Sequence, residues 1–298
     1  MKIERYAAID IGSNAVRVLI SNVVEIKGQP VKFMKSSMVR VPIRLGEDSF
    51  TVGEISIQNK KRLIKAMKAF KHIMKINNVK HYMACATSAL REANNAQEVV
   101  KAVEKKTGIT IEIIDGKKEA AIISTTNIFE RINKKRTFLY IDVGGGSTEF
   151  SILVKGERIA SRSFKVGTVR MINQLVSDKV WDEIREWIAS HTKFYPKLAI
   201  LGSGGNINKL FKLAGVKEGR PLSLIKLNTL YNELIQLSYE ERILTWELNT
   251  DRSDVIIPAT QIYLKALKWS GASEIFVPKI GLADGMIKVL YQENTSRG

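Results

Sequence analysis

The sequence predicts an α/β protein of two similar domains, each a mixed sheet with helices on its faces. Three observations lead there. A strand–turn–strand device occurs twice, alternating helical and strand patterns follow each copy, and 298 residues suit about two domains. The first copy reads Tyr6-Ala-Ala-Ile-Asp10-Ile-Gly12-Ser13-Asn14-Ala-Val-Arg17-Val-Leu-Ile20. The second reads Leu139-Tyr-Ile-Asp142-Val-Gly144-Gly145-Gly146-Ser147-Thr148-Glu149-Phe-Ser-Ile-Leu-Val154.

In chain order, apolar and β-branched runs predict strands over 5–11, 14–24 and 31–41. Leu63, Met67, Phe70 and Met74 recur at helical spacing and predict an amphipathic helix over 56–78. A strand at 80–86, a helix at 95–107, a strand at 109–114 and a helix at 117–133 follow. The pattern then restarts with strands at 137–143, 148–154 and 157–165. Helices at 168–176 and 178–194, a strand at 197–201 and a helix at 205–215 come next. A helical stretch over about 227–270, a strand at 273–277 and a helix at 282–293 complete the chain. The offset from Asp10 to Asp142 places the boundary near 120–136. The domains expected are 1–124 and 125–298, with the last helix (282–298) packing back on the first.

The turns carry the chemistry. Glycine lets backbone N–H groups converge on an anion, and Ser13, Ser147 and Thr148 add hydroxyl donors. Asp10 and Asp142, at the mouths of the turns, are placed to meet a metal carried by that anion. Two such turns suggest two domains gripping one phosphate chain. Asp142 and Glu149, at opposite ends of the second hairpin, can face one Mg²⁺, which takes one or two carboxylates plus phosphate oxygens and water. Gly144–Thr148 is followed by Glu149 and a strand, so neither a P-loop nor a dinucleotide fingerprint fits, since each needs a helix there. Gly202-Ser-Gly204-Gly205 lies between a strand and a helix and makes a third candidate anion loop. Thr87 or Ser88 is expected to cap a helix with Glu92 in its first turn, and a basic Arg91 near that start suggests a bound anion. Glu119 reads as an ordinary acidic residue of a first helical turn.

The chain carries 47 Lys and Arg against 30 Asp and Glu, a net charge of +17. Such an excess attracts polyanions, and nucleic acid, an acidic membrane surface and a polyphosphate-type substrate satisfy it equally. Its densest cluster is Lys60, Lys61, Arg62, Lys65, Lys68, Lys71, Lys75 and Lys80. The single cysteine, Cys85, excludes an internal disulfide framework. With no signal-like apolar segment and no apolar run long enough to span a bilayer, a cytoplasmic protein without membrane contact is expected.

Taken together, Asp10–Asn14, Arg44-Leu-Gly-Glu47, Ala86–Ala93, Gly116–Ala120, Asp142–Glu149, Gly167-Thr-Val-Arg170, Gly202–Gly205, Arg252–Ile256 and Gly281–Gly285 resemble the exopolyphosphatase/guanosine pentaphosphate phosphohydrolase (Ppx/GppA) family. The strings stand in family order along essentially the whole chain. The resemblance implies two ribonuclease-H-like, actin- and sugar-kinase-like domains flanking a cleft. It also implies Mg²⁺-dependent hydrolysis of terminal phosphoryl groups from linear phosphoanhydrides. It assigns the catalytic base to Glu119, metal and phosphate contacts to Asp142 and Glu149, and substrate contacts to Asn14, Arg44, Arg91 and Arg252, with the glycine loops cradling phosphate. Lys118, Asp115, Arg17 and Ala283 depart from the family pattern at positions that bear on substrate preference. The C-terminal helical domains of long members, with their His-Asp motif, have no counterpart, which points to short polyphosphate. The alternatives are pppGpp as substrate and a non-catalytic module binding polyphosphate or nucleotide; a sugar kinase is disfavoured by the strings. Specific nucleic-acid binding is not expected, and a homodimer is compatible.

Overall fold

The computed structural model describes residues 1–126, 136–195 and 197–296. The chain divides into two compact units, Met1–Thr126 with Gly281–Gly298 and Asn127–Ile280.

The first unit opens with three long strands, β1 (Lys2–Ile11), β2 (Ala15–Glu25) and β3 (Lys32–Pro42), joined as antiparallel neighbours. There follow α1 (Leu45–Thr51), α2 (Ile57–Ile76), β4 (His81–Ala86), α3 (Ser88–Glu92), α4 (Ala96–Thr107), β5 (Glu112–Ile113) and α5 (Gly116–Ser124). The sheet order is β3-β2-β1-β4-β5, with β4 and β5 parallel to β1. Ser56 caps α2 by accepting from Asn59 N–H, and Leu63, Met67, Phe70 and Met74 are buried as their spacing predicts. They join Ile9, Ile11, Val18 and Ile20 of the sheet and Val99 and Val103 of α4 in one apolar core.

The second unit repeats this plan: β6 (Phe138–Val143), β7 (Thr148–Val154), β8 (Glu157–Phe164), α6 (Thr168–Ile172), α7 (Asp178–Thr192), β9 (Ala199–Ser203), α8 (Gly205–Leu213), β10 (Leu222–Ser223), α9 (Leu224–Gln236), α10 (Tyr239–Trp246), α11 (Thr250–Ser253), α12 (Ile256–Ser270) and β11 (Glu274–Phe276). Its sheet runs β10-β11-β9-β6-β7-β8, so β8-β7-β6-β9-β11 reproduces the order of the first sheet. The repeat holds at the level of register. Asp10 pairs with Arg17 across the first hairpin, and Asp142 pairs with Glu149 across the second. Gly12 N–H donates to Ala15 O at 3.2 Å, as Gly144 N–H does to Ser147 O at 2.9 Å. The last helix, α13 (Leu282–Thr295), packs on β1 and α5. Gly285 permits that approach, since a Cβ there would lie 2.3 Å from Ile122 O of α5.

Several expectations are corrected. Helix α1 was not anticipated. The strand expected over 109–114 is reduced to two residues, and the helix expected over 117–133 ends at Ser124, with 127–133 outside the described residues. The helical stretch 227–270 is four helices. One break is the capping box of Ser238 and Glu241, and another is Glu247 in the left-handed region (φ 47°). Among the described residues no helix is long and apolar enough to cross a membrane.

Candidate active site

In the second unit the turn of the hairpin is held from behind by α6. Gly144 O accepts from Thr168 N–H (3.0 Å), Gly145 O from Val169 N–H (2.9 Å), and Gly146 O from Arg170 Nε (2.7 Å). In a planar trans peptide the next N–H points opposite to the carbonyl. The N–H groups of Gly145, Gly146 and Ser147 are therefore turned away from α6. Consecutive N–H groups on one side of a turn form an anion-binding concavity. Gly167 lets α6 come this close, because a Cβ there would lie 2.4 Å from Gly145 O and 2.6 Å from Gly146 N. Arg170 is buried beneath the turn.

Asp142 and Glu149 are direct cross-strand partners and so present their carboxylates on one face of the sheet. Glu149 is 4% exposed, and its Oε1 accepts from Ser147 Oγ (2.8 Å) and Ser163 Oγ (2.9 Å). Tyr140 OH donates to Asp142 Oδ2 at 3.4 Å. Burial first, and the Asp142 charge second, push the Tyr140 and Tyr263 phenols well above their ordinary value near 10, so both stay donors. Tyr263 OH donates to Ser203 O (2.9 Å) and Ile141 O (3.2 Å), tying together the ends of β6 and β9. Those ends carry Asp142 and the third glycine loop. Gly204 has φ +105°, and a Cβ on it would lie 3.1 Å from Asp142 Oδ1. At Gly205 a Cβ would lie 3.3 Å from Arg252 Nη2. Asp142, Glu149, Gly144–Thr148, Gly204, Gly205 and Arg252 are thus neighbours in one unit. The two hydroxyls expected to meet an anion here are committed within the protein, that of Ser147 to Glu149 Oε1 and that of the fully buried Thr148 to Val166 O (2.6 Å), so the turn's donor surface is its backbone.

The first hairpin is built alike but carries different charges. Arg17 occupies the place equivalent to Glu149, and its Nε lies 3.2 Å from Asp10 Oδ2. Asp10 thus faces a guanidinium across its hairpin where Asp142 faces a carboxylate. Burial raises the Asp10 pKa, and Arg17 opposes the rise. Ser13 O and Asn14 O accept from Gly46 N–H (2.8 Å) and Arg44 N–H (3.0 Å), which brings Ser13, Asn14 and Arg44 together. Arg44 sits in the left-handed region before α1 and donates to Glu47 Oε1 at 2.7 Å.

Glu119 lies in the first turn of α5, whose N-cap Asp115 accepts from Lys118 N–H at 2.7 Å. Its side chain is 12% exposed. Arg91 donates to Ile114 O (2.9 Å) and holds Nη1 3.9 Å from Glu119 Oε2, so it braces the turn that presents the glutamate. Arg91 does not stand at a helix start as expected. Helix α3 ends at Glu92, which puts Arg91 in its last turn, where a cation is favourable, and Thr87 makes no side-chain cap.

Sequence reasoning missed Gly167, Arg170 and Tyr263 as positioning residues. For the first two a signal existed, the Gly167-Thr-Val-Arg170 string. A fully buried tyrosine in a helix gave none.

An N–H concavity beside paired carboxylates at the strand ends of a mixed sheet defines a phosphate-handling α/β enzyme. Residues 22–293 match the Ppx/GppA phosphatase family, and the chain belongs to that family. It is 28% identical over 295 residues to the bifunctional 3-dehydroquinate synthase/phosphatase of Fusobacterium nucleatum, covering 91% of this chain and 44% of that protein. The chain therefore spans less than half the length of that relative. It is 23% identical to exopolyphosphatase 1 of Mycobacterium tuberculosis, covering 95% of this chain and 87% of the relative. An exopolyphosphatase structure from Cytophaga hutchinsonii superposes with a TM-score of 0.84 at 24% identity, over 98% of each chain, and establishes the two-domain actin-like fold.

Proposed function

We propose that the chain hydrolyses terminal phosphoryl groups from inorganic polyphosphate with Mg²⁺. The observation that carries the reading is the backbone concavity of Gly145–Ser147 beside the Asp142/Glu149 pair. Phosphoryl transfer needs placement and charge neutralisation more than covalent chemistry, and these residues supply both. Two carboxylates on one face, one of them anchored by serine hydroxyls, are a donor set suited to Mg²⁺. They are the residues that would hold the ion, directly or through water, and its chemistry there is to neutralise phosphoryl oxygens.

The remaining roles follow from chemistry. The N–H groups of the second hairpin and the Gly204–Gly205 loop take non-bridging oxygens, with Arg252 beside them. Arg44, Ser13 and Asn14 of the first hairpin are further substrate contacts, since an arginine fork matches phosphate better than an ammonium does. Glu119 accepts a proton from water as its oxygen bonds to the terminal phosphorus. The P–O–P link then breaks, and the shortened chain leaves as an anion.

Phosphate release from tripolyphosphate, long-chain polyphosphate and pppGpp, each with Mg²⁺ and with chelator, tests the reading. Polyphosphate turnover that stops with chelator is expected. Preferential turnover of pppGpp would move the assignment to that substrate, and no turnover of any would leave a binding module.

A further inference from the structure

Outside these clusters, the most strongly charged feature of the first unit is the solvent face of α2. Over Ile57–Ile76 the helix carries seven Lys and Arg and no Asp or Glu. Three of the seven are committed to the protein. Lys60 pairs with Glu98, Arg62 donates to Pro42 O and Ile43 O, and Lys71 donates to Thr107 O. The other four, Lys61, Lys65, Lys68 and Lys75, are exposed, as is His72. None of these five makes a hydrogen bond or ion pair among the described residues.

Their spacing is what matters. Positions 61, 65, 68, 72 and 75 advance by four, three, four and three, which at 100° per residue keeps them within about 80° of one another. They form one straight row about 21 Å long at 1.5 Å per residue. Like charges at such spacing destabilise a helix, so the row costs stability and no acidic residue on α2 relieves it. The row begins beside Arg62, which binds the carbonyls of Pro42 and Ile43, and those residues lead directly into Arg44 and its bond to Asn14 O. The row therefore starts on the helical turn whose Arg62 is tied to the segment leading into Arg44, with the positive end of the helix dipole at that end.

We propose that this row is an exosite for the distal part of a long, linear polyphosphate. The proposal rests on polyphosphate being the substrate, and it assigns a preference for long chains, opposite to the short-chain expectation drawn from the sequence. The width and chemistry of the row favour this occupant. A single file of ammonium groups matches a single file of charged units. Its one ring, the His72 imidazole, stands alone among lysines, and the row holds no arginine or amide fork to read a base. It also lacks the aromatic or leucine-rich companion face by which a basic helix enters a lipid surface, because the apolar face of α2 is buried in the core. Tripolyphosphate is too short to follow the row, so the site acts only on long chains.

The test is a variant with Lys61, Lys65, Lys68 and Lys75 each changed to Gln, set against a control with Lys155, Lys179, Lys217 and Lys226 changed to Gln. The control positions are exposed and scattered over the second unit. Equilibrium binding of labelled long-chain polyphosphate is measured across a salt series, so the result does not depend on turnover. Where turnover occurs, KM is measured for both chain lengths. The α2 variant is expected to bind the long chain at least about tenfold more weakly. Its slope of log affinity against log salt should be shallower by about three, at about 0.7 per phosphate contact for a single strand. Its KM and kcat on tripolyphosphate stay at wild type, and the control changes little. Unchanged long-chain binding would overturn the proposal, as would an equal loss in the control. So would a loss confined to duplex DNA or to anionic phospholipid vesicles. Long-chain binding through the row by a chain that hydrolyses nothing would uphold the exosite and sink the catalytic reading alone.

Discussion

Replacing Gly167 with alanine tests the idea that α6 sets the position of the phosphate turn. Gly167 has φ −156° and ψ 164°, an extended conformation open to alanine, so no backbone strain is introduced. The whole effect falls on the neighbours. The new methyl carbon would meet Gly145 O at 2.4 Å, Gly145 C at 2.5 Å and Gly146 N at 2.6 Å. All three are backbone atoms of the turn, with no flexible side chain to give way. Against ordinary contact distances the turn must retreat by about 1 Å, and overpacking of this kind costs about 1–3 kcal/mol. For a unit of this size that corresponds to a fall in melting temperature of about 3–10 °C. A 1 Å displacement of binding groups lowers turnover by about 10²-fold. Phosphate release from polyphosphate, read as kcat/KM beside a thermal melt, measures both. Wild-type kcat/KM with a lowered melting temperature would mean that α6 yields instead of the turn, and would refute the argument that the N–H groups must sit where Gly167 holds them.

Two further outcomes follow from buried titratable groups. Burial, with Glu112 as the next contribution, pushes the Cys85 thiol up to about 12, so at pH 8 it should ignore a thiol reagent until denaturant is added; rapid labelling of the native protein would contradict this. Asp10 has a folded pKa raised above its ordinary value near 3.8, so its contribution to stability is fullest below that pH and is lost as pH rises through the folded value. The melting temperature of Asp10→Asn relative to wild type should therefore climb as pH rises from below 3.8 to neutral. A difference that stays flat or falls over that range would contradict the direction assigned to Asp10.

Much of this architecture was legible in the chain because its signals are local. The hairpins of Asp10 and Asp142 announce themselves by alternation and glycine, and the burial of Leu63, Met67, Phe70 and Met74 follows from helical period. What could not be read is non-local. Helix α1 is only seven residues long and follows a left-handed Arg44 held by Asn14 O, a contact across the fold. Arg17 stood out only as a departure from the family pattern, and register alone places it opposite Asp10, in the position where the second hairpin has Glu149. Thr148 looked like a phosphate donor, yet its hydroxyl is bonded to Val166 O. Gly167 and Arg170 act on the site only through backbone carbonyls, and motif chemistry has no term for that. Glu119 gave no chemical sign of its own, and family resemblance alone singled it out.

Glu119 is proposed to take the proton from the attacking water while other residues hold the substrate. This role is tested most directly by Glu119→Gln, assayed for Mg²⁺-dependent phosphate release and for equilibrium binding of polyphosphate. A fall in kcat of about 10²–10⁴-fold, the usual contribution of a general base, is expected, with affinity close to wild type. Phosphate release by Glu119→Gln at the wild-type rate would contradict it.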